Sequence, residues 1–203
     1  MIKIVLNNKL LQVTIIKMQS STIANNIIEL YEKHGASDYI GENLTQLEHM
    51  TKAAMLAEDY GENKNIILAC FLHDIGHLLE INNKSKQMGN LGVMNHELIG
   101  RQYLLDNGFS QEIANLVSNH VKAKRYLVAK FPDYINKLSE ASKATLLYQN
   151  NLMSGEEMIE FENDLLFGDS LKVRFYDDQS KTVNRELKSL DFYRNLIIEH
   201  LSR

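Results

Sequence analysis

Residues 66–77 read IILACFLHDIGH, and this stretch decides how the rest of the chain is interpreted. Its first seven residues are apolar, which predicts a buried helix. The helix ends in His73 and Asp74, and burying two such polar side chains costs free energy unless they find partners. Because neighbouring side chains on a helix point about 100° apart, both can serve one metal ion only where the helix end is distorted, or if Asp74 reaches across to a second ion.

The remaining sequence predicts helices nearly throughout. One proline and ten glycines interrupt 203 residues, and apolar positions recur at steps of three and four. We therefore expect an all-α fold, and the chain length fits a single domain with the polar site between core helices. The helices are expected at residues 22–35, 44–59, 63–76, 95–107, 110–129, 139–149, 154–163, 169–182 and 190–202.

Two segments complete this organisation. Residues 22–203 form the expected domain, and residues 1–21 form an N-terminal extension whose first part fits either an edge strand or a disordered arm. The single cysteine, Cys70, excludes an internal disulfide and favours a cytoplasmic protein. No apolar run approaches the roughly 18 residues that span a bilayer, so no membrane partner is expected.

The charge pattern argues against a nucleic-acid partner. The formal net charge is -4, and the densest basic cluster is only Lys122, Lys124 and Arg125. A small-molecule ligand is the expected explanation for this local cluster. The sequence leaves open whether the chain is a monomer or a homodimer.

Further candidate metal ligands lie in other predicted helices. Together with the first two they form a set of four histidines and two aspartates: His49, His73, Asp74, His96, His120 and Asp177. Nitrogen and oxygen ligands suit iron, manganese or magnesium better than a structural zinc. A bound metal would also offset the cost of burying these groups.

The order of these residues resembles the HD-domain superfamily, whose members are helical and are mostly metal-dependent phosphohydrolases. A finer resemblance, over about residues 23–196, is to the mixed-valent di-iron oxygenases of that superfamily that form glycine from an aminophosphonate. The matching segments are DYIGE (38–42), QLEH (46–49), HDIGH (73–77), HVKAKRYL (120–127), LSEAS (138–142) and MS (153–154).

The resemblance implies two iron ions, starting as Fe(II) and Fe(III). One would be held by His49, His73, Asp74 and Asp177, and the second would share Asp74 and add His96 and His120. Tyr39 matches a tyrosine that can occupy the second iron before substrate arrives. The family usually has a tryptophan before the ligand aspartate, whereas this chain has Tyr176, which leaves both Asp177 and Asp178 open as the ligand.

The resemblance also implies the residues around the substrate. His77 and Lys124 match phosphonate-binding residues, and the neutral groups expected beside them are Ser142, Thr145 and Gln149. Glu42 matches a carboxylate placed for the substrate amine. Since an ammonium group is stabilised by a nearby anion, Glu42 favours an amino-bearing substrate over bare hydroxymethylphosphonate or a bulky quaternary amine. Tyr39, Glu42, His77 and Lys124 are the expected catalytic group.

The reaction implied is the oxygen-dependent cleavage of the carbon–phosphorus bond of (R)-2-amino-1-hydroxyethylphosphonate to glycine and phosphate. Three alternatives remain at this point. One is the same chemistry on another 1-hydroxyphosphonate, and another is a metal-dependent phosphohydrolase that uses metal-bound hydroxide on a phosphate ester. The third is a non-enzymatic HD module that binds a ligand or a partner.

Overall fold

A computed structural model describes residues 2–39, 43–89, 91–182 and 185–203, so Glu42 lies outside the described residues. The α-helices in these ranges are α1 (Ile2–His34), α2 (Gln46–Asp59), α3 (Lys64–Leu72), α4 (Ile75–Leu79), α5 (His96–Asp106), α6 (Gln111–Lys130), α7 (Glu140–Thr145), α8 (Gly155–Glu162), α9 (Phe167–Ser180) and α10 (Leu190–Leu201). Short 3-10 helices cover Lys84–Lys86, Pro132–Lys137 and Leu146–Tyr148. Within the described ranges there is no β-strand, and the predicted all-α class is confirmed.

Helix α3 lies at the centre of the molecule. Every residue from Ile66 to Leu72 is buried, and the helix packs against α2, α6, α9 and α10. A helix that is apolar on all sides needs cover on all sides, and these neighbours provide it. Three of these neighbours, α2, α6 and α9, each carry one of the six candidate ligands, so the core and the candidate site are built together.

The chain breaks its helix at His73 and Asp74. One helix is predicted over residues 63–76, but α3 ends at Leu72 and α4 begins at Ile75. Gly76 explains part of this geometry, because a Cβ atom there would lie 2.0 Å from the backbone oxygen of His96. Only glycine allows the start of α4 to approach the start of α5 this closely. The break is the distortion that lets His73 and Asp74 face the same space.

The N-terminal helix is longer than the sequence predicts. Residues 2–17, for which an edge strand or a disordered arm was expected, are helical, and the whole predicted extension from residue 2 to 21 is continuous with the rest of α1. From Ala24 onwards α1 buries Ile27, Ile28 and Tyr31 in the core. No helix in the described ranges is long and apolar enough to cross a membrane.

Candidate metal centre

Four helices and the α3–α4 break bring the six predicted ligands together. His49 comes from α2, His73 and Asp74 from the break, His96 from the first position of α5, His120 from α6 and Asp177 from α9, and all six are buried. Helix α2 begins with a capping box, in which Thr45 Oγ1 accepts from the Glu48 amide (3.2 Å) and the Glu48 carboxylate accepts from the Thr45 amide (2.7 Å). This cap fixes where the helix begins and therefore which way His49 points.

Asp74 lies between two pairs of histidines. Its Oδ2 atom is 3.6 Å from Nε2 of His49 and 3.3 Å from Nε2 of His73. Its Oδ1 atom is 3.2 Å from Nε2 of His96 and 3.4 Å from Nε2 of His120. Ligand atoms about 2.1 Å from one ion lie about 3.0–3.4 Å apart, so the two oxygens of Asp74 match two adjacent metal positions.

The two positions are named by their donors. Position A is defined by His49, His73, Asp177 and the Oδ2 atom of Asp74, and position B by His96, His120 and the Oδ1 atom of Asp74. Position A has four protein donors and position B has three. A site with three protein donors keeps room for a substrate oxygen.

The hydrogen bonds of three histidines fix their tautomers. In each, Nδ1 lies near the backbone oxygen three residues earlier: His73 near Cys70 (2.8 Å), His96 near Val93 (3.2 Å) and His120 near Val117 (2.6 Å). A carbonyl oxygen only accepts, so Nδ1 carries the hydrogen of the neutral ring and Nε2 offers a lone pair. These lone pairs point to the positions that a metal would occupy.

In His49 the hydrogen of the neutral ring is also on Nδ1, but the acceptor is a serine hydroxyl. The Ser180 hydroxyl donates to the backbone oxygen of Asp177 (2.8 Å), so its oxygen accepts from Nδ1 of His49 (2.9 Å). Nε2 of His49 then faces Nε2 of His73 at 3.0 Å. Two lone pairs at this distance repel unless an ion or a proton lies between them. Burial lowers the pKa of His73, but the Asp74 carboxylate outweighs it and raises the pKa to about 9.

Asp177 and Asp178 differ sharply in their surroundings. The Oδ1 atom of Asp177 is buried, has no hydrogen-bond donor among the described residues, and lies 3.3 Å from Nε2 of His49. An orphaned buried acceptor costs about 1–3 kcal/mol, which a metal ligated there would remove. In Asp178 both oxygens are engaged, by Arg174 and by the hydroxyl of Tyr134. The structure therefore brings Asp177, and not Asp178, into the cluster.

A cavity adjoins the two positions. Its empty volume is about 500 Å³, counting the part open to solvent. The predicted substrate residues that the structure describes all line it, namely Tyr39, His77, Lys124, Ser142, Thr145 and Gln149. Asp74, His96, His120 and Asp177 line the same cavity, so predicted substrate groups and predicted metal ligands share one space.

Lys124 is a buried cation at this cavity. Its ammonium donates to Thr145 Oγ1 (2.9 Å) and lies 3.4 Å from the Ser142 backbone oxygen. No carboxylate of the described residues lies within 4.0 Å of it. Burial, and then the positive charge of Arg174, lower the pKa of Lys124 to about 7. An anion entering the cavity would supply the missing partner and restore the charge.

His77 has the opposite tautomer from the four candidate ligands. Its Nδ1 accepts from the backbone amide of Val93 (2.9 Å), so the hydrogen of the neutral ring is on Nε2. Burial lowers the pKa of His77 to about 3, which keeps the ring neutral. The ring stacks on His96 with centroids 4.0 Å apart. In this tautomer Nε2 of His77 is a hydrogen-bond donor, whereas Nε2 of the other four histidines offers a lone pair.

Tyr39 stacks on a residue of position A. Its ring centroid lies 3.9 Å from that of His49, with the planes 20° apart. The resemblance associates this tyrosine with the second iron, which corresponds to position B. The structure places its ring beside His49 and in the lining of the cavity.

Two residues of the site were missed by the sequence analysis. The Lys181 ammonium donates to Ser142 Oγ (3.0 Å) and lies 3.7 Å from Asp177 Oδ1. Gln46 is buried at the cavity, and its Oε1 atom has no donor among the described residues. Helical spacing could have found both, because Lys181 follows Asp177 by four residues and Gln46 precedes His49 by three.

The chain is similar to a known family and to several known proteins. The model of the family described as HD domain matches residues 46–158. An uncharacterized protein of Acanthamoeba polyphaga mimivirus is 67% identical over 178 residues, which cover 88% of this chain and 81% of the relative. The [1-hydroxy-2-(trimethylamino)ethyl]phosphonate dioxygenase (glycine-betaine-forming) of Leisingera caerulea is 35% identical, covering 84% and 86%. The hydroxymethylphosphonate dioxygenase of Gimesia maris is 34% identical, covering 86% and 88%.

Proposed function

Because the chain belongs to the HD domain family, we propose that it binds iron at positions A and B and uses dioxygen to cleave the carbon–phosphorus bond of (R)-2-amino-1-hydroxyethylphosphonate. The products are glycine and phosphate. The observation that carries the proposal is Asp74, whose two oxygens face two separate histidine pairs at 3.2–3.6 Å. An iron pair, when bound, supplies the redox chemistry with dioxygen.

The reaction balances without any further reductant. The substrate plus one dioxygen molecule contains the same atoms as glycine plus phosphoric acid. The bond between C1 and phosphorus and the C1–H bond both break, C1 loses four electrons as it becomes the glycine carboxyl carbon, and dioxygen accepts those four electrons. The protein needs to orient the substrate, neutralise its charge and keep water away.

The phosphonate end matches the cationic side of the cavity. A phosphonate dianion would receive charge-assisted hydrogen bonds from Lys124 and Lys181 and a neutral one from Nε2–H of His77. The Ser142 hydroxyl accepts from Lys181, which leaves its own hydrogen free to donate. Lys124 and Lys181 both contact Ser142, so the two ammonium groups lie near the same residue of the cavity lining.

The opposite end of the substrate decides between the related phosphonates. Quaternary ammonium groups are usually held by cages of aromatic rings, and the only described ring at this cavity besides the imidazoles is Tyr39. Gln46 and Gln149 each have a buried Oε1 atom without a donor in the described residues. A primary ammonium brings three N–H donors, whereas trimethylammonium and hydroxymethylphosphonate bring none at this end. These features, with the predicted role of Glu42, support the amino substrate.

A substrate panel tests the proposal. Iron-loaded protein is given the amino, trimethylamino and hydroxymethyl phosphonates and p-nitrophenyl phosphate, each in air and under argon, and phosphate and glycine are measured. We expect phosphate release from the amino compound in air, with glycine, and none under argon. Release from the ester under argon would instead identify a phosphohydrolase, and preference for another phosphonate would correct the substrate.

A further inference from the structure

Arg174 is shared between two neighbouring carboxylates of α9. Its Nη1 donates to Asp177 Oδ2 at 2.7 Å. Its Nη2 donates to Asp178 Oδ1, and its Nε lies 3.2 Å from Asp178 Oδ2. The guanidinium is 2% exposed, so these ion pairs are shielded from water. One edge of Arg174 is therefore committed to Asp178, and Asp177 is contacted through Nη1 alone.

Tyr134 completes this arrangement from another part of the chain. Its hydroxyl donates to Asp178 Oδ2 and accepts from Nε of Arg174 (3.1 Å). Both oxygens of Asp178 are thus engaged. Tyr134 belongs to the 3-10 helix Pro132–Lys137, which precedes the segment with Ser142 and Thr145. The contact links the helix of Asp177 to the predicted phosphonate-binding segment.

The arrangement determines how Asp177 presents its oxygens. An arginine prefers to bind a carboxylate with two parallel N–H bonds, which would occupy both oxygens of Asp177. Asp178 and Tyr134 hold the Nε and Nη2 edge of Arg174, which fixes the orientation of the guanidinium so that only Nη1 reaches Asp177. Asp177 Oδ2 is then bound through Nη1 alone, and Oδ1 stays without a donor beside Nε2 of His49.

We infer that Tyr134 and Asp178 are positioning residues for position A, an inference that rests on the metal pair of the proposed function. They keep Arg174 from competing with the metal for Oδ1 of Asp177. When Asp178 loses its charge, Arg174 turns to bind Asp177 with two N–H groups. The affinity for metal at position A falls, while position B, which has no contact with Arg174 or Asp178, is unchanged.

The test is a titration of metal-free full-length protein with Fe(II) under argon, in competition with a coloured chelator. The variants are Asp178→Asn and Tyr134→Phe. The matched control is Tyr176→Phe, which removes a tyrosine–carboxylate hydrogen bond of the same helix, from Tyr176 to Glu62 (2.9 Å), without touching Arg174. Thermal unfolding and circular dichroism show whether each variant is folded.

We expect two ions to bind the wild type and Tyr176→Phe with the same affinities. In Asp178→Asn one affinity falls at least about tenfold and the other is kept, as for other outer groups around metal ligands. Tyr134→Phe shows a smaller loss at the same ion, and it keeps the test decisive if Asp178→Asn does not fold. Asp177→Ala lacks one ion even at saturating iron, whereas Asp178→Asn still binds two. This difference distinguishes Asp177 as a metal ligand from Asp178 as a positioning residue.

Other outcomes overturn specific statements. Wild-type affinities in both Asp178→Asn and Tyr134→Phe, or an equal loss at both ions, contradict the positioning role. A wild type that binds fewer than two ions contradicts the metal pair of the proposed function instead. The two failures are therefore distinguishable.

Discussion

The Oδ1 atom of Asp74 lies 3.2 Å from Nε2 of His96, while the other oxygen of the same carboxylate faces His49 and His73. One side chain thus belongs to both metal positions. An aspartate at a helix break can do this because its two oxygens diverge, and the break after α3 aims them at different histidine pairs. The predictions below follow from this shared position and from the cavity beside it.

Removing Asp74 should affect both metal positions, whereas removing His96 should affect one. We expect Asp74→Ala to retain less than about a tenth of the wild-type iron at both positions, and His96→Ala to retain about one ion per chain. Metal content is measured by mass spectrometry after dialysis against a chelator. Equal retention by the two variants would show that Asp74 does not bridge.

Substrate binding should take up a proton at Lys124. The pKa of Lys124 is about 7 in the empty cavity, so above pH 7 the side chain is mostly neutral, and a bound dianion raises the pKa again. Binding therefore takes up about one proton at pH 8.5 and little at pH 6, and affinity falls as the pH rises above 7. Calorimetry under argon in two buffers of different ionisation heat measures the uptake.

The control for this measurement is Lys124→Gln, which removes the titrating group but keeps hydrogen-bond donors. Proton uptake at pH 8.5 should disappear in this variant. The depressed pKa also affects folding. Below pH 7 the free energy of unfolding is reduced by the cost of burying a charged Lys124, and it should rise between pH 7 and the ordinary lysine pKa. Unchanged uptake in Lys124→Gln would assign the proton to another group.

Gly92 should matter for the substrate but not for the metals. A Cβ atom at Gly92 would lie 2.6 Å from Cε1 of His77, so alanine there must displace the ring. Gly89 is the matched control, because it also has a positive φ but no atom within 4 Å of such a Cβ. Both variants carry about 1 kcal/mol or more of backbone strain. We expect only Gly92→Ala to raise KM for the phosphonate, by at least about tenfold, with two ions kept in both.

Glu42 should select the amine. Glu42→Gln removes the predicted anion and keeps the size of the side chain, so affinity for the amino substrate should fall about tenfold while affinity for hydroxymethylphosphonate stays the same. The exposed Glu32 provides the control variant Glu32→Gln. Binding is measured under argon, so that turnover does not interfere. Equal losses for both phosphonates would remove Glu42 from amine recognition.

The sequence was sufficient to predict the fold class and to identify the six candidate ligands. Helical periodicity and the scarcity of proline predict helices reliably, and His or Asp beside apolar stripes stands out because such residues need partners. The break after Leu72 was missed because it depends on a contact between Gly76 and the His96 backbone. No local pattern reports such a contact.

Long-range geometry also explains the other differences. Lys181 follows Asp177 by about one helical turn, but only the approach of the segment with Ser142 places its ammonium beside a predicted substrate residue. The choice between Asp177 and Asp178 depended on which one has both oxygens engaged by Arg174 and Tyr134, and Tyr134 lies more than forty residues earlier in the chain. The histidine tautomers could not be predicted from the sequence either, because each depends on the hydrogen-bond partner of Nδ1 in the folded structure.

The central claim, an oxygen-dependent cleavage of a carbon–phosphorus bond, is tested most directly by its stoichiometry. Iron-loaded protein is mixed with (R)-2-amino-1-hydroxyethylphosphonate in a closed oxygen-electrode cell, and oxygen consumed, phosphate released and glycine formed are measured in the same sample. We predict a ratio of one to one to one, with no phosphate when oxygen is absent. Phosphate released without oxygen consumption would contradict the account.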